Sequence, residues 1–518
     1  MSPRRTRVAV GSVALVVLAL ALLAIAVPPR ASAAPVCRAS SPTSGAYTVT
    51  VCLSAPEAGS TLTGDAAVSA TVAVSNGKAL RSVQFSVGST YVLTDYEAPW
   101  TMILPTARWA DGAQVLRVRA VVKGSPDFTT AYTTMNVSFS NGAGPPVADA
   151  FVPHAPEPLP GSPLVVAAVG DGANGGAKAA AVVGRIAAWN PDMVLYLGDV
   201  YARGTHTEFR NWFAESPGAY GRFAAITNPT IGNHEYEFDP SGAPYYDYWG
   251  NPAHSYSFDT GGWHFVSLDT TTTFAQTTPG TEQFEWLRED LRGSGADCTL
   301  AYFHHPIFTR AAGNEEPRLL GLWSLLAEEG VDLVLVGHAH HYTRWKPIGA
   351  DRVANADGPV QLTVGSGGHF LYPFTRTDTR AAAGNDKKFG ALRLELRPGQ
   401  ASYRFQAAGG ALIDQSSRTC TPFEDREPPT APVLTGEATG ETTTSLDWTA
   451  SEDNVGAAGY RVFRDGVEIE TVGPSVLAFD DAGLEPATTY VYAVEAFDAS
   501  GAAAASNLVE LTTASPPN

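Results

Sequence analysis

Between residues 163 and 422, short apolar runs alternate with longer segments of helical periodicity. The runs are LVVAAV, MVLYLG, LAYF and VDLVLVG, and the helical patterns include AKAAAVVGRIAAWN, TEQFEWLREDLRG and RLLGLWSLLAEEG. Apolar runs of about four to eight residues are typical of strands buried on both faces, and longer amphipathic segments are typical of helices. Strands that alternate with helices predict an α/β domain in this part of the chain.

Five short polar clusters follow the predicted strands of this region. They are GDG at 170–172, GDVYARG at 198–204, GNHE at 232–235, HHP at 304–306 and GHAHHY at 337–342. Loops at the carboxyl ends of strands assemble the sites of α/β domains, so clusters that are far apart in sequence can converge. Asp171 and Asp199 are 28 residues apart. This interval fits a strand, a crossover helix and a second strand, which predicts that the two carboxylates lie on neighbouring loops.

The clusters supply carboxylate, amide and imidazole side chains. The candidate metal ligands are Asp171, Asp199, Asn233, His304, His338 and His340. This mixture suits borderline transition metals, and a carboxylate can bridge two ions by lending one oxygen to each. Asp199 is the candidate bridge. A single Gly-Asp pair or a single histidine is common in turns, so the ordered set, and not any one cluster, indicates a metal site.

The order GD, a second GD with a tyrosine close behind, GNHE, H-x-P and GH-x-H resembles the signature of calcineurin-like metallophosphoesterases. The purple acid phosphatase branch is most similar, because Ala173 stands where other branches have a histidine. The resemblance implies a four-layer α+β sandwich with two transition-metal ions, either iron, manganese or zinc. It implies that one ion is held by Asp171, Asp199, Tyr201 and His340, and the other by Asp199, Asn233, His304 and His338.

The same resemblance implies a phosphate ester hydrolase in which a metal-activated water attacks phosphorus. His234 of GNHE would face the substrate as the catalytic residue. We expect an acid phosphatase-like phosphomonoesterase acting on a small phosphorylated substrate, with a phosphodiesterase or nucleotidase on the same centre as the alternative. Tyr201 departs from the family pattern, because it follows Asp199 by two residues and not by three, which corresponds to a deletion of one residue.

The segments on either side of this region have the alternating pattern of all-β sandwiches. Residues 37–140 resemble bacterial immunoglobulin-like modules through APW, a D-G turn and the late strand VLRVRAVV. Residues 429–515 resemble a fibronectin type III domain through Trp448 and the L-x-P-x-T-x-Y strand that ends at Tyr490. We expect a proline- and glycine-rich linker at 141–162 and a catalytic domain at 163–422.

The two β-domains leave open a function other than catalysis. They could bind a cell-wall or extracellular polymer, or act as spacers for the enzyme. The alternative is an extracellular adhesion or scaffold protein whose central domain is inert, and that alternative predicts no bound metal.

Residues 1–33 have the composition of a secretory signal peptide. Three arginines precede an apolar run from Val8 to Val27, and Ala31 and Ala33 supply an A-x-A cleavage site. The run is long enough to span a bilayer, so an uncleaved anchor is the alternative, but the cleavage site favours a secreted protein without a membrane segment. Cleavage removes four arginines and no acids, which moves the formal charge from −18 to −22. Such an acidic protein is not expected to bind nucleic acid.

The four cysteines, Cys37, Cys52, Cys298 and Cys420, predict disulfides in an oxidising compartment. The domain layout favours Cys37 with Cys52 and Cys298 with Cys420. A zinc site built from all four thiolates is the alternative, although the close C-x-x-C spacing of structural zinc sites is absent from the sequence.

Overall fold

The computed structural model describes residues 34–42, 45–123, 131–142, 144–145, 147–213, 218–314, 316–420, 428–453 and 456–517. The predicted signal peptide at 1–33 lies outside the described residues. Among the helices that are described, none is long and apolar enough to cross a membrane.

The N-terminal part forms a β-sandwich of two sheets, with strand orders β1-β2-β4-β7 and β3-β9-β8-β5-β6. Its strands are β1 (Val36–Ser40), β2 (Val49–Ala55), β3 (Thr61–Leu62), β4 (Asp65–Val74), β5 (Leu80–Val87), β6 (Thr90–Asp95), β7 (Thr101–Pro105), β8 (Gly112–Val122) and β9 (Ala131–Phe139). Every second residue of β2, namely Val49, Val51 and Leu53, is buried in the core between the sheets. This alternation with period two forms the inner face of the sandwich.

The central part contains two further sheets, with orders β12-β11-β10-β20-β21-β22 and β13-β14-β15-β16-β18-β17-β19. Their strands are β10 (Leu164–Val169), β11 (Met193–Tyr196), β12 (Thr227–Pro229), β13 (Tyr256–Thr260), β14 (Trp263–Ser267), β15 (Thr299–Phe303), β16 (Leu333–Val336), β17 (Tyr342–Trp345), β18 (Val360–Val364), β19 (Ala381–Asn385), β20 (Gly390–Arg397), β21 (Gln400–Ala407) and β22 (Leu412–Thr419). The helices are α1 (Ala177–Ala187), α2 (His206–Trp212), α3 (Glu235–Phe238), α4 (Ala243–Trp249), α5 (Glu282–Gly293) and α6 (Leu320–Glu328).

These central elements form four layers. Val166 and Ala168 of β10 belong to the core between the two sheets, whereas the intervening Ala167 and Val169 belong to the cluster that contains α1. The two faces of the second sheet also pack against different layers. One face of β14 belongs to the core between the sheets, and the other packs against α5 and α6. Helix, sheet, sheet and helix therefore stack in that order, and the predicted four-layer sandwich is confirmed.

The C-terminal part is a second β-sandwich, whose sheets have the orders β23-β24-β27 and β26-β25-β28-β29, with β30 paired to β28. Its strands are β23 (Leu434–Ala438), β24 (Thr443–Trp448), β25 (Ala457–Arg464), β26 (Val467–Val472), β27 (Ala478–Ala482), β28 (Thr489–Asp498), β29 (Ala503–Ala505) and β30 (Val509–Thr512). Trp448 packs on Tyr460 in its core with ring centroids 5.6 Å apart. The Tyr490 hydroxyl accepts the Glu485 N–H at 2.9 Å, as in the tyrosine corner of such sandwiches.

Both predicted disulfides are present, and their presence excludes a zinc site built from the four cysteines. Cys37 pairs with Cys52 and links the adjacent strands β1 and β2. Cys298 pairs with Cys420. Because Cys298 precedes β15 and Cys420 follows β22, this second bond connects the two central sheets.

Residues 147–162, within the predicted linker, pack on the central part. The N–H of His154 donates to Asn228 Oδ1 at 2.7 Å, and the N–H of Phe151 donates to the Gly250 carbonyl at 2.7 Å. The N-terminal sandwich also contacts α2, where Asn211 exchanges two hydrogen bonds of 2.8 Å with the backbone of Ile103. Hydrogen bonds therefore attach both the segment and the sandwich to the central part.

Candidate metal centre

The five polar clusters meet at one edge of the two central sheets. Strands β10, β11 and β12 are parallel in the first sheet, and β15 and β16 are parallel in the second. Each cluster begins within three residues of the end of its strand. Backbone hydrogen bonds join the loops, from Asp171 N–H to the Gly198 carbonyl at 3.1 Å and from Gly337 N–H to the His304 carbonyl at 2.9 Å. Parallel strands thus bring residues from five distant segments together.

One group of donor atoms surrounds the Tyr201 hydroxyl. Its Oη lies 3.0 Å from Asp171 Oδ1, 3.0 Å from Asp199 Oδ2 and 2.8 Å from His340 Nε2. His340 Nε2 is also 3.3 Å from Asp171 Oδ1. All four side chains are buried. The one-residue displacement of Tyr201 in the sequence therefore does not remove its hydroxyl from this group.

A second group of donor atoms surrounds the side-chain oxygen of Asn233. Its Oδ1 lies 3.1 Å from His304 Nε2 and 2.9 Å from His338 Nδ1. His304 Nε2 is 3.3 Å from Asp199 Oδ1. Asp199 therefore contributes Oδ2 to the first group and Oδ1 to the second, which is the arrangement that a bridging carboxylate requires.

The outer nitrogens of two histidines are occupied by backbone carbonyls. His304 Nδ1 is 2.7 Å from the Leu197 carbonyl oxygen, and His340 Nδ1 is 2.7 Å from that of Phe370. A ring nitrogen that faces a carbonyl donates a hydrogen bond to it, so Nε2 of each ring is the nitrogen that faces the donor groups. Together with carboxylate, phenol and amide oxygens, these nitrogens form a donor set that fits two transition-metal ions.

Burial and neighbouring charges shift the pKa values of several side chains at the site in different directions. Burial alone would raise the pKa of the Asp199 carboxyl, but the His304 and His234 imidazoles hold it well below its usual range. Burial, aided by His304, lowers the pKa of His338 to about 3, so this imidazole keeps its lone pair. Burial and the Asp171 carboxylate raise the pKa of the Tyr201 phenol well above its usual range. Only a strong local positive charge can therefore remove the Tyr201 proton.

The backbone at the site has an unusual conformation. Asp171, Asp199 and His338 have φ values of 59°, 69° and 60°, in the left-handed region that residues with a side chain rarely adopt. Such conformations persist when the surrounding structure imposes them, and they concentrate at functional sites. Gly337 permits the close packing of these loops, because a Cβ there would lie 2.8 Å from Asp171 Oδ2.

His234 lies at the edge of the two donor groups, whereas the six candidate ligands lie within them. Its Nδ1 lies 2.7 Å from the Ala202 carbonyl oxygen and 3.0 Å from Glu237 Oε1. Its Nε2 is 3.7 Å from Asp199 Oδ2, and its side chain is 25% exposed. The ring therefore lies at the edge of the donor groups and remains accessible from solvent.

Sequence reasoning missed a carboxylate that holds the loops together. Glu235, which is buried, accepts the N–H groups of Gly232 at 2.8 Å, Val200 at 2.6 Å and Asp199 at 3.2 Å. Glu235 is the last residue of the GNHE cluster, and its place in that cluster is the feature by which the sequence could have identified it as part of the site. Its function is to fix the Asp199 loop against the Asn233 loop.

Aromatic rings around the donor groups were also not predicted. The His369 ring stacks on the Tyr201 ring at 3.8 Å, and the Tyr372 ring stacks on His340 at 4.2 Å. Tyr96 of the N-terminal sandwich packs edge-on against His369 at 5.2 Å. The sequence carries no signal for these contacts, because they depend on how distant loops and domains pack.

Comparisons with known proteins agree with the predicted resemblances. Residues 164–342 match the family model of the calcineurin-like phosphoesterases, and residues 50–118 match that of a bacterial Ig domain. The chain is similar to purple acid phosphatase 21 of Arabidopsis thaliana, with 32% identity over 230 residues, which are 40% of this chain and 51% of that protein. Purple acid phosphatase 22 of the same plant is 28% identical over 248 residues, 43% of this chain and 56% of that protein. The chain thus spans about half the length of these two phosphatases.

A carbohydrate-active enzyme shares a shorter segment with this chain. Chitinase Chi52 of Paenibacillus xylanexedens is 41% identical over 103 residues, which are 20% of this chain and 19% of that protein.

Proposed function

We propose that this chain, which contains a calcineurin-like phosphoesterase domain, is a secreted metal-dependent phosphoesterase that acts as a phosphomonoesterase on small phosphorylated substrates. The proposal rests above all on the two oxygens of Asp199, since Oδ2 lies 3.0 Å from Tyr201 Oη and Oδ1 lies 3.3 Å from His304 Nε2. A carboxylate in this position can hold two ions close together. Similarity to two purple acid phosphatases supports the reaction class.

The two donor groups define the proposed ligands. One ion would be held by Asp171, Asp199, Tyr201 and His340, and the other by Asp199, Asn233, His304 and His338. The mixed oxygen and nitrogen donors suit iron, manganese or zinc. When bound, two such ions supply positive charge to the phosphate oxygens and acidify a water molecule.

His234 is the proposed catalytic residue. The contact between its Nδ1 and the Ala202 carbonyl, at 2.7 Å, orients the ring so that Nε2 faces the edge of the centre. From this position Nε2–H can donate a hydrogen bond to a phosphate oxygen or a proton to the leaving oxygen. The protein contribution therefore consists of orienting the ester at the donor groups and protonating the group that departs.

Two alternatives make different predictions. A phosphodiesterase or nucleotidase would use the same donors and differ only in the groups that contact the leaving group. A scaffold protein with an inert centre would bind no metal, although its two β-sandwiches would be unchanged.

The test combines metal analysis with activity of the purified protein. We expect about two transition-metal ions per chain and faster hydrolysis of p-nitrophenyl phosphate than of bis-p-nitrophenyl phosphate. Asp199→Asn should lose metal and turnover, whereas Asp297→Asn makes the same change at an exposed carboxylate and should retain both. Faster hydrolysis of the diester would favour the phosphodiesterase. Absence of metal and turnover after reconstitution with iron, manganese and zinc would contradict the enzyme and favour the scaffold.

Secretion is the second part of the proposal. Both disulfides support it, because such bonds persist in oxidising compartments. The similarity to a chitinase supports a role of the flanking domains in binding an extracellular polymer. N-terminal sequencing of protein recovered from the culture medium should begin at Ala34. Protein retained in the membrane with residues 1–33 attached would contradict secretion and favour the anchor.

A further inference from the structure

A cavity of about 470 Å³ lies between the N-terminal sandwich and the central part. Strands β5, β6 and β8 form one side of it, with Tyr96, which follows β6. On the other side are Ala202 and Arg203, which follow Tyr201, and Glu237 of α3. This volume is in the range of pockets that bind small molecules.

The alternation of the strands determines which residues of the sandwich line the cavity. Val83 and Phe85 of β5 are buried in the core of the sandwich, so Ser82 and Gln84 lie on the opposite face. Gln84 pairs with Arg119 of β8. This face is not a solvent-exposed sheet surface, because Ser82 is only 3% exposed. The central part covers it, and the cavity is the space left between them.

The cavity has an excess of positive charge. Arg81, Arg119 and Arg203 line it, together with the single carboxylate of Glu237. Arg203 Nε lies 3.8 Å from Glu237 Oε2. Within the described part of the chain, neither Arg81 nor Arg119 forms an ion pair, and Arg119 Nε is buried without a hydrogen-bond partner. A buried donor without an acceptor is unfavourable, so an anion that accepts from it would stabilise this arrangement.

The cavity is next to the candidate metal centre. The Ala202 carbonyl, which belongs to a lining residue, is 2.7 Å from His234 Nδ1. Glu237 Oε1 is 3.0 Å from the same nitrogen. On the other side, the Tyr96 ring packs on His369, whose ring stacks on that of Tyr201. The cavity and the centre are therefore neighbours, and they meet at Ala202, Glu237 and Tyr96.

We propose that this cavity is a subsite for a second phosphate group, carried by the same substrate whose first phosphate is hydrolysed at the metal centre. The inference rests on the proposed function and deepens it. The planar guanidinium groups of Arg81 and Arg119 match the geometry of phosphate oxygens and stay charged at all relevant pH values. The N-terminal sandwich is therefore a specificity-determining part of the active site, and doubly phosphorylated substrates are preferred over singly phosphorylated ones.

The test measures kcat/KM for a series of linear alkanediol bisphosphates, with three to eight carbons, against alkyl monophosphates of the same length. The series covers a range of distances between the two phosphates. For at least one length we expect kcat/KM of the bisphosphate to exceed kcat/KM of the monophosphate by about tenfold. Two equivalent phosphates on one substrate would by themselves raise kcat/KM only by a factor of about two. Hydrolysis of the monophosphates by the unaltered protein tests the proposed function separately.

Variants locate the effect in the cavity. The ratio of bisphosphate to monophosphate kcat/KM should fall toward about two in Arg119→Gln and in Arg81→Gln. Because each ratio is measured within one preparation, incomplete folding of a variant does not change it. Arg117→Gln is the matched control, since Arg117 lies on the same strand but packs over the Tyr132 ring at 4.2 Å outside the cavity.

Two outcomes would overturn the proposal. One is a ratio near two at every length in the unaltered protein. The other is a high ratio that persists in both cavity variants. Titration with inorganic phosphate tests whether free phosphate, and not a phosphate of the substrate, occupies the cavity. Binding of phosphate that Arg119→Gln removes, combined with a kcat/KM ratio near two, would assign the cavity to free phosphate. That result would refute the role of the cavity in substrate binding.

Discussion

At the scale of single residues, Gly232 is a position where a methyl group would disturb the centre. A Cβ there would lie 2.2 Å from Asp199 Oδ1 and 2.7 Å from Asp199 N. We expect Gly232→Ala to displace this carboxylate, to reduce the metal content, and to lower kcat by about 100-fold, as misplacement by about 1 Å does in other sites. Elemental analysis and p-nitrophenyl phosphate kinetics measure both effects.

Gly184 of α1 provides the control for this substitution, because a Cβ at this position meets no atom within 4 Å. Gly184→Ala should leave metal and turnover unchanged and should stabilise the helix slightly. Normal metal content in Gly232→Ala would contradict the steric role of that glycine.

His264 links three elements through charge. Its Nδ1 is 2.7 Å from Asp259 Oδ1 and its Nε2 is 3.0 Å from Asp290 Oδ2. Burial opposes protonation, but the two carboxylates raise the pKa of His264 to about 9. A histidine whose pKa rises on folding stabilises the protein fully below its unfolded pKa of about 6.5, and this stabilisation is lost as the pH rises through about 9.

We therefore expect His264→Gln to reduce the free energy of unfolding by about 2 kcal/mol at pH 6, after allowance for the exposed Asp259 partner, and by less at pH 10. Urea unfolding at both pH values measures the difference. His154→Gln is a control without a carboxylate partner, since His154 Nε2 contacts the Asp192 carbonyl. An equal loss at pH 6 and pH 10 would show that packing, and not charge, explains the effect of His264.

The sequence identifies the residues that supply donor atoms, but it does not identify the residues that position those donors. Asp199 and Asn233 stand out because their clusters have a recognisable order after strands. Glu235 and His369 act through backbone N–H groups and ring stacking, and such contacts leave no pattern in a single sequence. Whether each candidate ligand binds metal remains a prediction for the tests above.

At the scale of elements, α2 fixes the loop that carries Tyr201. Glu208 completes a capping box with Thr205. Its carboxylate also accepts the N–H groups of Ala202 at 2.6 Å and Arg203 at 3.0 Å, and the Tyr91 hydroxyl at 2.6 Å. One buried carboxylate thus connects the helix, the loop and the N-terminal sandwich.

We expect Glu208→Gln to destabilise the protein by about 1–3 kcal/mol, because an amide replaces one acceptor oxygen with a donor and leaves N–H groups unpaired. The same variant should lower metal content, since the loop positions Tyr201. Thermal unfolding and elemental analysis measure these effects. Glu289→Gln on α5 makes the same change where no contact to the site exists, and a similar loss there would contradict the specific role of Glu208.

Periodicity predicts best a strand that is buried on both faces and a helix with one buried face. The run LVVAAV corresponds to β10, and TEQFEWLREDLRG corresponds to α5 with its start displaced by one residue. Strands β20 to β22, which extend the first sheet, were not singled out. They alternate buried and exposed residues near the edge of the sheet, and their pairing depends on distant partners.

At the scale of the whole molecule, the arrangement of the domains was beyond sequence reasoning. The outer face of β5, β6 and β8 carries the polar residues Ser82 and Thr94. They are only 3% and 4% exposed, and both line the cavity between the sandwich and the central part. Polar interfaces of this kind have the composition of an ordinary surface, so only the folded structure identifies them.

The Cys298–Cys420 bond gives a prediction at the same scale, because it joins the two central sheets across 122 residues of chain. The Cys37–Cys52 bond closes only 15 residues within one sheet. Loop-closure entropy assigns about 4–5 kcal/mol to the first and about 3 kcal/mol to the second. More importantly, the first bond acts on the sheets that carry the candidate ligands, and the second acts on the N-terminal sandwich.

We therefore expect Cys298→Ala/Cys420→Ala to lower the urea concentration at which phosphatase activity is lost, and to do so more than Cys37→Ala/Cys52→Ala. Activity is the appropriate signal because it reports on the integrity of the centre, whereas a global signal combines domains that unfold separately. A larger effect from the Cys37–Cys52 pair would mean that the N-terminal sandwich, through its contacts at Tyr91 and Tyr96, limits the stability of the centre.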